Sequence, residues 1–241
     1  MYREHPTTAG PGTTCTWDRV VAEPAAPLIV PDGCVDLVWF SDGDLEVAGP
    51  DTGPRHATLA DAVEIVGVRI GPGAARSVLG VPASAVRDQQ LPLRDLGRTW
   101  EVLADRLAER AGAADLAVRR AALAAAVAAL PRTGDDRVVA SAVRLLEADP
   151  RLRVREVAGR VGLSSRQLQR RFDEAVGYGP KTFARVARLQ RFARITGPTT
   201  SLGETAVAAG YASQSHLSDE VRALTGSTPV RFLEDRRGEA S

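Results

Sequence analysis

Seven residues of this 241-residue chain recur in order at a nearly constant distance. Ala158, Gly162, Leu168, Phe172, Gly177, Pro180 and Phe183 return as Ala206, Gly210, Leu217, Val221, Gly226, Pro229 and Phe232. The offset is 48 up to Gly162 and 49 after it, so the second copy carries one extra residue in its turn. Such a repeat constrains the fold more than composition does, because each copy has to be one supersecondary unit. In the first copy Leu168, Phe172 and Ala175/Val176 stand at i, i+4 and i+7/i+8, which is one apolar stripe of a helix. Arg166, Gln169, Arg170 and Asp173 take the opposite face. Ser164 is placed as an N-cap and Gly177 as the residue just past the C-terminus. Upstream, Val154 to Val161 reads as a short helix, Gly162-Leu163 as a tight turn, and small Ala158 stands where the two helices would cross. The pattern predicts a helix-turn-helix with a polar outer face, twice.

Arg and Gln are the side chains that pair bidentately with purine edges in a major groove. On one helix alone, solvated surface residues explain them as well; the second copy shifts the balance towards DNA reading. Charge distribution points the same way. Residues 1–98 carry 8 basic against 13 acidic residues, net −5, and residues 135–241 carry 18 against 13, net +5. Within Val154–Arg194 the balance is 10 against 3, net +7, an electrostatic footprint suited to phosphate. Thirty of the 31 basic residues are Arg, so any single Arg carries less weight than it would in a mixed composition.

Two helix-turn-helix units joined by a helix, each ending in G-x-x-P-x-x-F, resemble the DNA-binding domain of AraC/XylS-type transcription regulators. Gly210 to Pro229, G-Y-A-S-Q-S-H-L-S-D-E-V-R-A-L-T-G-S-T-P, carries the most specific part of the likeness, which spans about Asp135 to Arg237. The resemblance implies base contacts from the outer face of each second helix. Carried over by position, these are Arg166, Gln169 and Arg170 in the first unit and Gln214, Ser215, Ser218 and Asp219 in the second. Asp219 stands where the family usually has Arg, and Val221 where it usually has Phe. Residues 196–232 hold two basic and three acidic residues, so the first unit is expected to supply most of the affinity. Arg185, Arg188 and Arg191 recur every third residue along the joining helix; phosphate contact, above all by Arg188, and a solvated charged face are equally good readings.

The N-terminal part reads differently. β-branched segments at Thr16–Ala22, Leu28–Val30, Val35–Phe40, Leu45–Ala48 and Val63–Ile70 are separated by turn residues, with Asp42-Gly43 as a hairpin signal. A short helix, Ala74 to Leu79, follows Gly71-Pro72-Gly73, while Met1–Gly12 is expected to be frayed. Trp100–Arg110 and Ala114–Leu130 read as two Ala/Leu-rich helices broken at Gly112, either a dimer interface or part of the N-terminal core. The expected fold is thus a small β-rich α+β domain, 1–98, a helical connector, 99–134, and an all-α double helix-turn-helix domain, 135–241. P-D-G-C-V-D (Pro31 to Asp36) and G-V-R-I-G-P-G-A (Gly67 to Ala74) resemble the N-terminal domains of one subset of the same family, which implies ligand sensing or dimerisation.

Trp17, Cys34 and Trp39 are the candidates for a ligand pocket, although aromatics in so small a domain serve more often as plain core. His5, Cys15, Cys34 and His56 lack metal-ligand spacing, so no metal and no cofactor is expected. Two cysteines make no disulfide framework, the N-terminus lacks an apolar leader, and the longest wholly apolar run, Ala121–Leu130, is too short to span a bilayer. These features predict a cytoplasmic, non-enzymatic bacterial regulator. Its partners would be double-stranded DNA, a small-molecule effector, RNA polymerase and, in a homodimer, a second copy of itself, with no membrane. The rival readings are a thiol-dependent enzyme built on Cys34, Asp32 and Asp36, or a protein-interaction domain, each fused to a DNA-targeting domain.

Overall fold

The computed structural model describes residues 1–7, 9–109, 115–134, 136–197 and 201–240. The predicted break at Gly112 and the domain boundary at Asp135 lie outside these residues. Eight strands come first: β1 (Tyr2–Pro6), β2 (Thr13–Val21), β3 (Leu28–Ile29), β4 (Val35–Phe40), β5 (Leu45–Ala48), β6 (Arg55–His56), β7 (Val63–Ile70) and β8 (Gln90–Pro92). Six of them form one antiparallel sheet in the order β1-β2-β7-β4-β5-β8, and β3 pairs with β6 in a separate ribbon. The Asp42-Gly43 turn closes the β4–β5 hairpin, with Phe40 N donating to Asp44 O at 2.9 Å.

Met1–Gly12 is not frayed at its start. Tyr2 to Pro6 pair residue by residue with Arg19 to Cys15 at the edge of the sheet. The strand lacks apolar alternation because an edge strand needs none, and Pro6 is tolerated where one side of the ladder is open.

Strand parity then decides which way each side chain faces. Val35, Leu37 and Trp39 of β4 point to one side, with Val66, Val68 and Ile70 of β7. That face is covered by α1 (Ala75–Leu79), α2 (Arg98–Ala108) and α3 (Leu116–Ala128), whose Val78, Leu79, Trp100, Leu107, Leu123 and Val127 complete the core. Of the two sequence readings for the Ala/Leu-rich helices, the observed packing is core: α3 lies across β7 and β2. Its Arg119, almost fully buried, stands 5.1 Å over the Trp39 ring and donates to Trp39 O at 3.2 Å. The opposite face of the sheet carries Cys15, Trp17, Val21, Val38 and Ile65, with Leu59 over them.

The C-terminal half is helical: α4 (Arg137–Ala148), α5 (Val154–Arg160), α6 (Ser165–Val176), α7 (Pro180–Ile195), α8 (Leu202–Ala209), α9 (Gln214–Thr225) and α10 (Pro229–Ala240). Ser164 caps α6 in a box with Gln167, and Gly177 ends it at φ +93°. The repeat is structural as well. Ala158 and Ala206, Leu168 and Leu217, Phe172 and Val221, Phe183 and Phe232 are buried in pairs. The α5–α6 unit and the α8–α9 unit have separate cores, which meet on α7.

The halves touch at the far end of α6. Arg76 pairs with Glu174 at 3.0 Å, and Arg87 Nη1 donates to Gly177 O at 2.9 Å. A Cβ on Gly177 would fall 2.5 Å from Pro50 Cγ, whereas one on the equivalent Gly226, at φ +71°, meets nothing within 4 Å. Gly226→Ala should therefore cost only the left-handed backbone penalty of about 1–2 kcal/mol. Gly177→Ala should cost that plus about 1–3 kcal/mol of overpacking against Pro50. Urea denaturation of the two variants checks the order.

Candidate functional site

The outer face of α6 is built by what its inner face does. Leu168, Phe172, Ala175 and Val176 are buried against α4, α5 and α7, so the residues between them have to face out. Arg166 and Arg170 are exposed, and among the described residues neither has an ion-pair partner. Arg171 differs: its guanidinium grips Asp136, the cap of α4, through two bonds of 2.7 Å. Burial would push the Asp136 carboxyl up, but the Arg171 bonds and backbone N–H groups outweigh it and hold it below the usual range. Gln169 is exposed yet folded back, its amide so close over Gly179 that a Cβ there would lie 2.0 Å from Nε2.

In the second unit Gln214, Ser215 and Asp219 are exposed, and Ser218 is half-buried with its hydroxyl donating to Gln214 O at 3.0 Å. Ser213 caps α9 by accepting from His216 N. The outer face of α9 is thus short-chained and acidic where that of α6 is long-chained and basic.

The arginine row on α7 corrects the sequence expectation. Arg188 does not reach out to phosphate. Its fork donates to both carboxylate oxygens of Glu220 on α9, at 2.7 and 3.0 Å, and Nη1 donates to Pro150 O beside α5, at 3.0 Å. The guanidinium also stands 5.6 Å from the Tyr211 ring centroid. Arg185 is 3.3 Å from Glu220, His216 is 3.4 Å from it, and Arg191 donates to Ala148 O. A spacing of three put these arginines on one face, but that face is turned onto the neighbouring helices. Glu220, which in the sequence counted only towards the charge of the second unit, is the centre of the cluster. Its signal was a Glu four residues after His216, one helical turn away on the same face.

Burial alone would raise the Glu220 carboxyl; hydrogen bonds and charge from Arg188, then His216 and Arg185, outweigh it and hold it below its ordinary 4.5. A depressed carboxyl contributes stability that is complete above the unfolded-state value and lost as pH falls through the folded one. The stability gap between the natural chain and Glu220→Gln should be widest near neutrality and close as pH drops below 4.5. Arg188→Ala should cost about 1.5–3 kcal/mol, since it takes two charge-assisted bonds from a half-buried carboxylate that keeps Arg185 and His216 beside it. It should leave the salt slope of DNA binding unchanged, unlike loss of a phosphate contact. Thermal melts across pH, and binding titrations at several salt concentrations, check these outcomes.

The N-terminal sheet holds a cavity of about 490 Å³ on the face away from α2 and α3. Trp17 and Cys34, two of the three residues expected there, line it. Trp39 does not: it is fully buried on the other face under Arg119. Period-two alternation forbids an odd and an even residue of one strand from sharing a face, so Asp36, Val38 and Phe40 are the β4 residues that line the cavity. Arg69 is a further lining residue missed from the sequence. Its guanidinium binds Asp36 through 3.2 and 3.3 Å bonds and Glu4 at 3.0 Å, while Trp17 Nε1 donates to Asp36 at 2.9 Å. The signal for it was a lone guanidinium in the apolar run V-E-I-V-G-V-R-I.

A family model described as a helix-turn-helix domain matches residues 157–235. The C-terminal domain is an AraC-type helix-turn-helix domain. A second model, described as a domain of unknown function (DUF6597), matches residues 13–92. Outside the family models, the AraC-type domain is similar to part of a protein of two Mycobacterium tuberculosis strains named "Probable bifunctional transcriptional activator/DNA repair enzyme AlkA". The identity is 41% over 98 residues, 39% of this chain. The chain spans 19% of those relatives' length. Among solved structures, ToxT of Vibrio cholerae superposes with a TM-score of 0.50 at 10% identity, over 97% of this chain and 98% of that one. It therefore shares the whole two-part fold, β-rich sheet first and helical half second. An AraC-type regulator of Chromobacterium violaceum is 29% identical, covering 42% of this chain and 92% of that one, with a TM-score of 0.39.

Proposed function

We propose that this chain is a sequence-specific DNA-binding transcription regulator controlled by a small molecule held in the N-terminal cavity. The observation that carries the DNA half is the outer face of α6. Two long guanidiniums, Arg166 and Arg170, stand exposed on a helix whose inner face is fully packed, with their ion-pairing capacity unspent. Such groups suit guanine O6/N7 or phosphate, and Gln169 needs only a rotamer change to leave Gly179 and reach an adenine edge. Gln214, Ser215, Ser218 and Asp219 on α9 form the weaker reading face in this proposal. Arg188 enters only as the residue that holds α9 in place.

In this reading, residues 1–98 with the helices of 99–134 form the effector unit and 135–241 the DNA-reading unit. Working on DNA implies the cytoplasm, and RNA polymerase and a second copy of the chain are the further partners it implies. Among the described residues no helix is long and apolar enough to cross a membrane. A thiol-dependent enzyme fits less well. Burial and the nearby Asp32 carboxylate push the Cys34 thiol well above its usual range, away from the thiolate a nucleophile needs. Alkylation of the folded chain should accordingly leave Cys34 unmodified by mass spectrometry at neutral pH.

Sites selected from random DNA provide the operator for the main test. Replacing Arg166, Gln169 and Arg170 with Ala should abolish specific binding, each bidentate contact being worth about 1–3 kcal/mol. Replacing Ser215, Ser218 and Asp219 with Ala should leave most of it. Asp219→Arg should raise affinity for generic DNA by removing a repelled charge and adding an attracted one. Equal losses from the two triple variants, titrated at one salt concentration, would overturn the ranking of α6 over α9.

A further inference from the structure

The cavity is not uniform. Val38, Phe40, Leu59 and Ile65 line it in one region, and Trp17 forms part of its wall. The charged lining includes three carboxylates, Glu4, Asp32 and Asp36, around the single guanidinium of Arg69. Asp36 and Glu4 hold that guanidinium at 3.0 to 3.3 Å, which leaves Asp32 Oδ2 at 3.8 Å from Nε, beyond a hydrogen bond. Asp32 Oδ1 accepts from Cys34 N at 2.8 Å. Two carboxylate oxygens offer about four acceptor positions, so most of the capacity of Asp32 is unused. Burial pushes its carboxyl above the ordinary range despite Arg69, a sign of too little compensating positive charge around it.

The lining also carries Arg19, Arg55, Arg236 and the carboxylate of Asp51, but Arg69 is the cation that acts on Asp32. Arg55 binds Asp51 and Gln90, Arg19 stands 5.3 Å from the Tyr2 ring centroid, and Arg236 stands 5.8 Å from that of Phe232. An ammonium beside Asp32 would meet carboxylates together with the aromatic wall of Trp17, the pairing that favours an organic cation over a metal ion. The apolar region would hold its hydrocarbon body, and the volume, about 490 Å³, suits a small organic molecule.

We propose that the cavity binds a small amphipathic amine, its ammonium at Asp32 and its apolar body against Val38, Phe40, Leu59 and Ile65. This deepens the effector reading above and rests on it only for the consequence to DNA. The site also gives the P-D-G-C-V-D motif a reason. Asp32, Cys34 and Asp36 line the cavity, while Gly33 between them lies against Phe183 of α7; a Cβ there would fall 2.9 Å from the ring. Pro31 O accepts from Gln190 Nε2 of the same helix at 2.8 Å. The loop that would hold the amine is therefore also one of the places where the C-terminal half meets the N-terminal one.

The test uses the full chain and three probes that share a phenyl ring and differ in charge: phenethylamine, hydrocinnamate and phenethyl alcohol. Binding is read from the fluorescence of Trp17 and from the thermal shift, with Trp17→Phe as the control for the signal. The amine should bind saturably and at least tenfold tighter than the other two. Asp32→Asn, which retains an acceptor for Cys34 N, should reduce its affinity at least tenfold while the melting transition stays cooperative. Hydrocinnamate binding as well as the amine, no preference among the three, or no binding by any of them overturns the proposal. So does an amine affinity that Asp32→Asn leaves unchanged. If that variant does not fold, the order of the three probes on the natural chain decides by itself. DNA binding is titrated separately without amine: DNA binding with no amine binding sinks this inference alone, and the reverse sinks the regulator reading alone.

Discussion

The C-terminal half depends on one helix that has no idle face. Phe183, Ala184 and Val186 of α7 belong to the core of the first helix-turn-helix unit, and Leu189 and Phe192 to that of the second. Each two-helix unit is too small to enclose a core alone, and each completes its core on this common spine. Arg188 completes the arrangement on the polar side, joining Pro150 of the first unit to Glu220 of the second through one rigid fork. The outer faces of α6 and α9 are thus held on one spine, and α7 sets their separation.

The N-terminal half answers to a different constraint, the two-residue period of its strands. One face of the sheet had to be apolar to take α2 and α3, which left the other face free to become a cavity. Charge is admitted there in compensated form. Arg69 is matched by Asp36 and Glu4, and Arg55 by Asp51, while Asp32 has Arg69 no nearer than 3.8 Å and accepts from Cys34 N. A charge in such a wall persists when it is paired or keeps some access to water.

Most element positions were legible in the sequence, because helix stripes and strand alternation are local. Val35–Phe40, Leu45–Ala48 and Val63–Ile70 have the bounds that periodicity and turn residues gave them. β1 was missed since an edge strand carries no apolar alternation, and the ribbon strand β6 and the sheet strand β8, of two and three residues, are too short to show a period. Of the ligand candidates, Trp17 and Cys34 line the cavity; Trp39 was misplaced by one step of parity on β4.

The sequence by itself determined the repeat, the caps of its helices and which face of α6 points outward, for these follow from spacing along a single element. It could not determine what lies opposite a charged side chain. Arg166, Arg170 and Arg188 are the same residue type at similar helical positions, yet the first two stand exposed and the third is spent on Glu220, 32 residues further along the chain. Likewise nothing local distinguishes Asp32 from Asp36. Only the tertiary structure brings Arg69 within reach of one and not quite of the other, because strand order and the packing of the Pro31–Cys34 loop on α7 fix those distances. Periodicity is a property of the element that carries it, whereas charge compensation is a property of the neighbours, and the neighbours are chosen by the fold.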